Sequence, residues 1–341
     1  MYRKFRRMAV RTVSATFMTG ILLSAAAAHA ETWRLSSMMT PESFEGQAYQ
    51  RFADRVKEYS GGELDIRIYP NEQIGSMDAV VEQLSAGVIQ LAPSAVSFLS
   101  RWEPAITYAG APFLFDNYQH WAAFIRGDLF QGWLSKTRAS AGIGVLGDIP
   151  SFPRGSFRTL LSKEEMKSAA DLKGLRIRQF DNKLVISVWE NLGAEVRVLP
   201  WGEVYDGMNR GIVDAVTSPA ELIKSTRFYE VAPHIIRTDE YPQAVAFMMN
   251  QQDFDALPPK SQQALLKAHG EAAKYAADLI DAGLNSMVSD LESKKGVTFD
   301  TGFDTSELVS KTASLYARMN AAGDLPNGLL QAVETARAAA N

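Results

Sequence analysis

Residues 171–219 switch between two hydrophobic periods. LRIRQF (175–180) alternates apolar and charged side chains, the period of two expected of a half-buried strand. Leu184, Val188 and Leu192 then fall on one helical face, and Gly193 follows as a C-cap. AEVRVLP reads as a second short strand, 201–209 as a second helix ended by Gly211, and IVDAV as a third strand. The same alternation occurs nearer the start. Residues 33–37 read as a strand. Phe44, Ala48, Phe52 and Val56 then recur at helical spacing until Gly61-Gly62 stops them. Leu64, Ile66 and Ile68 alternate as a strand closed by Pro70. Val80, Val81 and Leu84 mark a helix ended by Gly87, and VIQLA reads as the next strand. The chain therefore holds two β-α-β-α-β units, each of the doubly wound α/β class.

A third pattern is a long helix over 261–295. Leu265, Leu266, His269, Ala272, Ala276, Leu279 and Ile280 mark one face, and Leu284, Met287, Val288 and Leu291 continue it. At ~1.5 Å per residue it spans on the order of 50 Å, longer than one lobe. Gly270 and Gly283 are points where it can bend. The segment after it reads as helical and polar.

The ends of the predicted strands carry the chemistry. Arg178 lies at the end of the first strand of the 171–219 unit, Pro200-Trp201 at the end of the second, and Thr217-Ser218-Pro219 at the end of the third. Ligands of open α/β sheets gather beyond the carboxyl ends of the strands. A fixed guanidinium beside an indole face suits a small organic carboxylate.

Charge and compartment narrow the reading. Arg3, Lys4, Arg6, Arg7 and Arg11 form a positive n-region, 12–30 carries no charged side chain, and Ala28-His29-Ala30 is a small-x-small site. A signal peptide over 1–30 is expected, cleaved after Ala30, by the general secretory route rather than the twin-arginine one. Its apolar core is too short and too rich in Ala, Ser and Thr for a membrane anchor. The chain has 35 Lys+Arg and 39 Asp+Glu; without the five basic residues of the leader, 30 face 39, a net charge of about −9. Nucleic acid is a poor partner for such a surface. With no cysteine there is no disulfide, thiolate metal site, cysteine nucleophile or lipid-modified cysteine. The mature protein is then expected to be free of the membrane. Enzyme chemistry finds little support. The four histidines lack metal-site spacing, and there is no nucleophile elbow or phosphate-binding glycine loop. The acidic pairs Glu164-Glu165 and Asp239-Glu240 read as solvated charges.

DLKGLRIR followed by LGAEVRVLPWGEVYDGMNRGIVDAV resembles the solute-binding proteins of tripartite ATP-independent periplasmic (TRAP) transporters, of the dicarboxylate-binding DctP type. GGELDIRIYPNEQIGSMDAVVEQLSAGVIQLA, APFLF and TRFYEVAPH extend the likeness over nearly all of the chain after residue 31. The resemblance implies a periplasmic-binding-protein-like fold: two doubly wound lobes, a ligand cleft between them and a long helix spanning both. It places the crossings near 155 and 243. Lobe I is then 31–155 plus 244–283, and lobe II is 156–243 plus 284–341. It also implies a soluble periplasmic receptor, expected to be monomeric. Such a receptor binds a small organic acid and delivers it to an ion-gradient-driven membrane permease, with no cofactor and no ATP site.

Residue by residue, Arg178 matches the family's ligand-carboxylate arginine and Arg158, in GSFRTLLS, a second ligand arginine. Arg154, four residues upstream, rivals Arg158 for that role. Trp201 matches a usually aromatic position that stacks on the ligand, and Ser218 one whose polar side chain bonds it. Asp181 would orient Arg178 or accept a ligand hydroxyl. Met38 and the 95–98 turn would face the ligand from lobe I, and their apolar character points to a less hydroxylated acid. Glu203 is expected to cap a helix and Tyr205 to pack. Two other classes stay open on the residues: a secreted carboxylate-processing lyase or hydrolase, and a sensory binding protein. Dicarboxylates, 2-oxo acids, sugar acids, aromatic acids and zwitterions all remain open as ligands.

Overall fold

The computed structural model describes residues 30–340 apart from Lys295. The expected signal peptide and its cleavage site therefore lie outside the described residues, except for Ala30 itself. The strands are β1 (Glu31–Ser36), β2 (Leu64–Tyr69), β3 (Leu91–Ser94), β4 (Ile143–Leu146), β5 (Arg158–Ser162), β6 (Arg176–Gln179), β7 (Glu195–Val198), β8 (Ala215–Pro219), β9 (His234–Arg237), β10 (Ala246–Asn250) and β11 (Thr298–Asp300). They form two sheets, ordered β2-β1-β3-β10-β4 and β11-β9-β5-β8-β6-β7. In each sheet the three strands of one β-α-β-α-β unit run parallel, and the chain arriving from the other lobe adds an antiparallel neighbour. That neighbour is β10 beside β3 in lobe I and β5 beside β8 in lobe II. The two crossing segments lie side by side: Pro153 and Ala244 form an antiparallel bridge, and the N–H of Arg154 donates to the Gln243 carbonyl at 3.0 Å.

The helices are α1 (Phe44–Ser60), α2 (Met77–Ser85), α3 (Tyr118–Arg126), α4 (Asp128–Ala141), α5 (Lys183–Asn191), α6 (Val204–Asn209), α7 (Leu222–Thr226), α8 (Gln251–Ala256), α9 (Pro259–Glu292), α10 (Ser306–Ala322) and α11 (Leu329–Ala340). Local chemistry explains their limits. Ser43 caps α1 by accepting the Gly46 N–H at 3.0 Å, and Gly61 ends it at φ 71°, a left-handed turn that favours glycine. The face between buries Phe44, Ala48, Tyr49, Phe52 and Val56 against α9. Each fully buried large side chain contributes roughly 1.5–3 kcal/mol, so this seam anchors lobe I. Asn182 caps α5 by accepting the Val185 N–H at 3.1 Å, and Leu184, Val185, Val188 and Trp189 turn inward.

The long helix is 34 residues and runs from lobe I, where it lies on α1, to lobe II, where it meets β11. Among the described residues no helix is long and apolar enough to cross a membrane.

The predicted elements differ from the structure in several places, beginning with the strand read in VIQLA, which runs from Leu91 to Ser94. The third strand of lobe II begins at Ala215 rather than Ile212, because Ile212 is exposed in the turn after α6; Thr217, Ser218 and Pro219 are strand residues. Residues 201–203 form a 3-10 turn ahead of a shorter α6. The allotment of 284–341 to lobe II is corrected by packing. Helix α11 lies on α3 of lobe I, where Val333 and Ala336 are buried and His120 Nε2 donates to the Val333 carbonyl at 2.9 Å. Between them α10 reaches both lobes. The Tyr316 hydroxyl donates to the Pro112 carbonyl at 2.9 Å, and Arg318 to Asn191 of α5 at 2.9 Å.

Candidate ligand-binding site

A cavity of about 130 Å³ lies between the lobes. From lobe I it is lined by Met38, Met39, Glu72, Met77, Asp78, Ala95 and Phe98. Lobe II supplies Arg158, Arg178, Asp181, Trp201 and Thr217, and the second crossing segment Tyr241 and Gln243. The cavity sits at the carboxyl ends of β6 and β8, as the doubly wound topology requires.

Arg178 is next to last in β6, and the following residues carry the chain to Asn182 at the start of α5. Its guanidinium donates from Nε and Nη2 to one acceptor, the Leu199 carbonyl, at 2.9 and 2.7 Å. Trp201 lies 5.3 Å from the guanidinium carbon and meets Phe228 edge-on at 5.1 Å, so the indole is fixed from behind. Arg178 is only 7% exposed, and among the described residues no carboxylate comes within ion-pair distance of it. Burial pulls its pKa down to about 10; Tyr241 opposes the fall and Arg158 adds to it. A buried cation without an anionic partner is costly, which makes it a candidate anion site.

Arg158 differs. Its Nε donates to Glu240 at 3.0 Å, Nη1 to Gln243 at 3.1 Å and Nη2 to Thr217 at 3.1 Å, and Tyr241 lies under it at 4.6 Å. Glu240 is wholly buried, which corrects the reading of Asp239-Glu240 as solvated charges: Glu240 balances Arg158, while Asp239 pairs with Arg237 at 2.7 Å on the surface. Arg154 lines the cavity too, but its Nε and Nη2 grip both oxygens of the buried Glu45 at 2.7 and 2.8 Å. It ties the crossing segment to α1.

Met38, Asp181 and Trp201 line the cavity, as do Ala95 and Phe98 of the expected turn. Ser218 does not. It is fully buried, its hydroxyl donates to the Pro219 carbonyl at 3.0 Å, and Thr217 takes the cavity side. The alternation of a strand explains the swap, because neighbouring residues face opposite ways. Glu203 makes no side-chain cap, and the Tyr205 hydroxyl bonds Glu230 at 2.9 Å on the surface. Sequence reasoning missed Glu72, Asp78, Tyr241 and Gln243. Glu72 stands in a polar turn and Asp78 in the first turn of a helix, where a carboxylate reads as ordinary, and the last two lie on a crossing segment whose path only the fold reveals.

Three contacts join the walls. The Gly202 N–H donates to Glu72 Oε2 at 3.1 Å, Thr107 donates to Asn182 at 2.8 Å, and the Phe98 and Phe180 rings lie 6.0 Å apart. Burial raises the pKa of Glu72, against the pull of the Gly202 N–H and Arg178. Burial and the facing Asp181 raise that of Asp78.

Comparison with known proteins agrees with this arrangement. The family model for "Bacterial extracellular solute-binding protein, family 7" matches residues 35–322. The 2,3-diketo-L-gulonate-binding periplasmic protein of Escherichia coli is 26% identical over 96% of this chain and 99% of its own. The C4-dicarboxylate-binding periplasmic protein of Rhodobacter capsulatus is 26% identical over 80% of each chain. A TRAP periplasmic solute-binding protein from Ochrobacterium anthropi with bound L-fuconate superposes with a TM-score of 0.81 at 22% identity. It covers 90% of this chain and 99% of its own. These relatives are substrate-binding proteins of transporters, not enzymes. The chain belongs to family 7 of the bacterial extracellular solute-binding proteins, the DctP family of TRAP receptors, and is a solute-binding protein.

Proposed function

We propose that this chain captures a small organic carboxylate in the periplasm and delivers it to an ion-gradient-driven TRAP permease. The observation that carries the reading is the buried guanidinium of Arg178, held by the Leu199 carbonyl and lacking a carboxylate partner among the described residues, at a cavity between two lobes. Its remaining N–H groups take the ligand carboxylate, a charge-assisted bond worth roughly 1.5–3 kcal/mol net. Trp201 covers the ligand's flat or apolar part, and Met38 lines the opposite wall. Contacts from both lobes then favour the shut state. The relatives' names support an acid: the Escherichia coli protein is named for 2,3-diketo-L-gulonate, the Rhodobacter capsulatus protein for C4-dicarboxylates, and the Ochrobacterium anthropi protein was solved with L-fuconate. The leader-like residues 1–30 support export.

The test is calorimetric titration with dicarboxylates, 2-oxo acids, sugar acids, aromatic acids and zwitterions, repeated on Arg178→Ala with the tightest binder. An affinity loss of about a hundredfold, ~2.7 kcal/mol, is expected. Equal affinity in the variant would remove Arg178 from the proposed role.

A further inference from the structure

The cleft has an uneven charge balance. Of its three arginines, Arg154 is paired with Glu45 and Arg158 with Glu240, each inside the protein. Arg178 alone brings positive charge to the cavity that no protein carboxylate neutralises at ion-pair distance among the described residues. Against it stand Glu72, Asp78 and Asp181 on the cavity lining. Neither Asp78 nor Asp181 has an ion-pair partner among the described residues, and both are exposed toward the cleft mouth. There is thus one anchor for one anion. A second carboxylate on the same ligand would meet like charge rather than a free cation, which is unfavourable.

The remaining lining is largely apolar. Met38, Met39, Met77 and Ala95 form the lobe I floor, and Phe98 meets Phe180 across the cleft. Among the neutral polar groups, the Thr217 and Gln243 side-chain oxygens are taken up as acceptors from Arg158. Gln179, 2% exposed, lines the cavity beside Arg178, and its Nε2 has no hydrogen-bond partner among the described residues. It is a donor, suited to a carboxylate or keto oxygen next to the guanidinium. A buried unpaired donor is destabilising, so a ligand oxygen there relieves a penalty.

We infer that this cleft selects a monocarboxylate with a compact apolar or aromatic body, held at Arg178 and Gln179 and clasped by Phe98 and Phe180, and that it discriminates against dicarboxylates and polyhydroxylated acids. The inference depends on the carboxylate reading above and narrows it, in contrast to the diacid and sugar-acid names of the relatives. Met and Phe surfaces reward apolar area and give a hydroxylated chain nothing for the water it must shed. The two rim aspartates act as a filter on charge, working by repulsion.

The test titrates the purified protein with phenylacetate, 4-methyl-2-oxopentanoate, succinate and gluconate, each followed by calorimetry. One of the first two is expected to bind at least tenfold more tightly than both succinate and gluconate. Phe98→Ala should weaken that binding at least fivefold. Asp78→Asn with Asp181→Asn should narrow the gap to succinate while leaving the monoacid within about threefold. Succinate or gluconate binding as tightly as the monoacids overturns the inference and leaves the carboxylate reading standing. Silence from all four overturns both. Phe98→Ala without effect on monoacid affinity, in a variant whose melting curve shows it folded, overturns the clasp. An unchanged preference over succinate in the double aspartate variant overturns the charge filter.

Discussion

Arg178 and Leu199 are joined by two hydrogen bonds from one guanidinium to one carbonyl, at 2.9 and 2.7 Å, across adjacent strand ends of lobe II. The grip sets the plane of the fork before any ligand arrives, so little rotamer freedom remains to be lost on binding. Arg178→Lys keeps the charge but loses the planar fork and the double bond to Leu199. Affinity for the bound acid should fall at least tenfold, about 1.4 kcal/mol, measured by calorimetry. An unchanged dissociation constant would contradict the anchoring role.

The Arg158–Glu240 pair predicts a stability effect rather than a direct binding one. Glu240 is fully buried and also accepts from the Thr238 hydroxyl. Glu240→Ala leaves the Arg158 charge buried without compensation and should cost ~3–5 kcal/mol in urea denaturation. A loss under 1 kcal/mol would show that the pair is dispensable.

Trp201 should report occupancy. Its indole lies 5.3 Å from the Arg178 guanidinium carbon and lines the cavity, so a ligand there changes its surroundings. Tryptophan emission is expected to shift on adding the acid, although six tryptophans contribute. In Trp201→Phe most of the change should vanish; persistence of the full signal would place the reporter elsewhere.

His269 gives a pH prediction. It is buried between Phe152 and Phe247, where burial lowers its pKa from 6.5 to about 4. The native protein keeps it neutral, while the unfolded chain takes up a proton between those values, so stability is full above pH 6.5 and declines as pH falls toward 4. The decline from this group should be ~3 kcal/mol. His269→Leu removes it, so the gap in unfolding free energy between wild type and variant should shift in the variant's favour between pH 7.5 and 4.5. A gap independent of pH would show that His269 does not titrate in this window.

Ligand should also raise the melting temperature by mass action, by about 2.7 kcal/mol of added stability at a hundredfold excess over Kd. A millimolar screen of organic acids that produced no shift would count against an acid ligand.

Local pattern carried much of the fold. Phe44, Ala48, Phe52 and Val56 are buried together, as are Leu184, Val188 and Leu192, because a helix that covers a sheet must repeat its apolar residues every three or four positions. Arg178 at a strand end was equally legible, since the topology sends strand ends to the cleft. What local pattern could not carry was pairing at long range. Glu240 reaches Arg158 across 82 positions, and Glu45 reaches Arg154 across 109. Nothing beside Glu240 in TDEYPQ distinguishes a buried counter-charge from a solvated one. Ser218 failed for a different reason. It was placed by resemblance alone, and within a strand one position decides which face a side chain takes; here Thr217 faces the cavity. The last helix was misassigned because its partner α3 lies about two hundred residues earlier in the chain.

The long helix has a mechanical consequence. Nine of its ten buried residues lie between Ser261 and Ile280, and beyond them only Leu291 is buried; Asp290 ties to Lys224 of lobe II at 2.8 Å. The rod is thus clamped at its base and pinned at its tip, with a half-exposed span of about ten residues between, where Met287 rests on the lobe II core and no atom stands within 4 Å of where a Gly283 Cβ would sit. Any swing of one lobe against the other loads that span as a leaf spring. The stiffness of the molecule, and with it the ease of letting cargo go, is therefore set in part on the back of the protein by residues that never meet the solute.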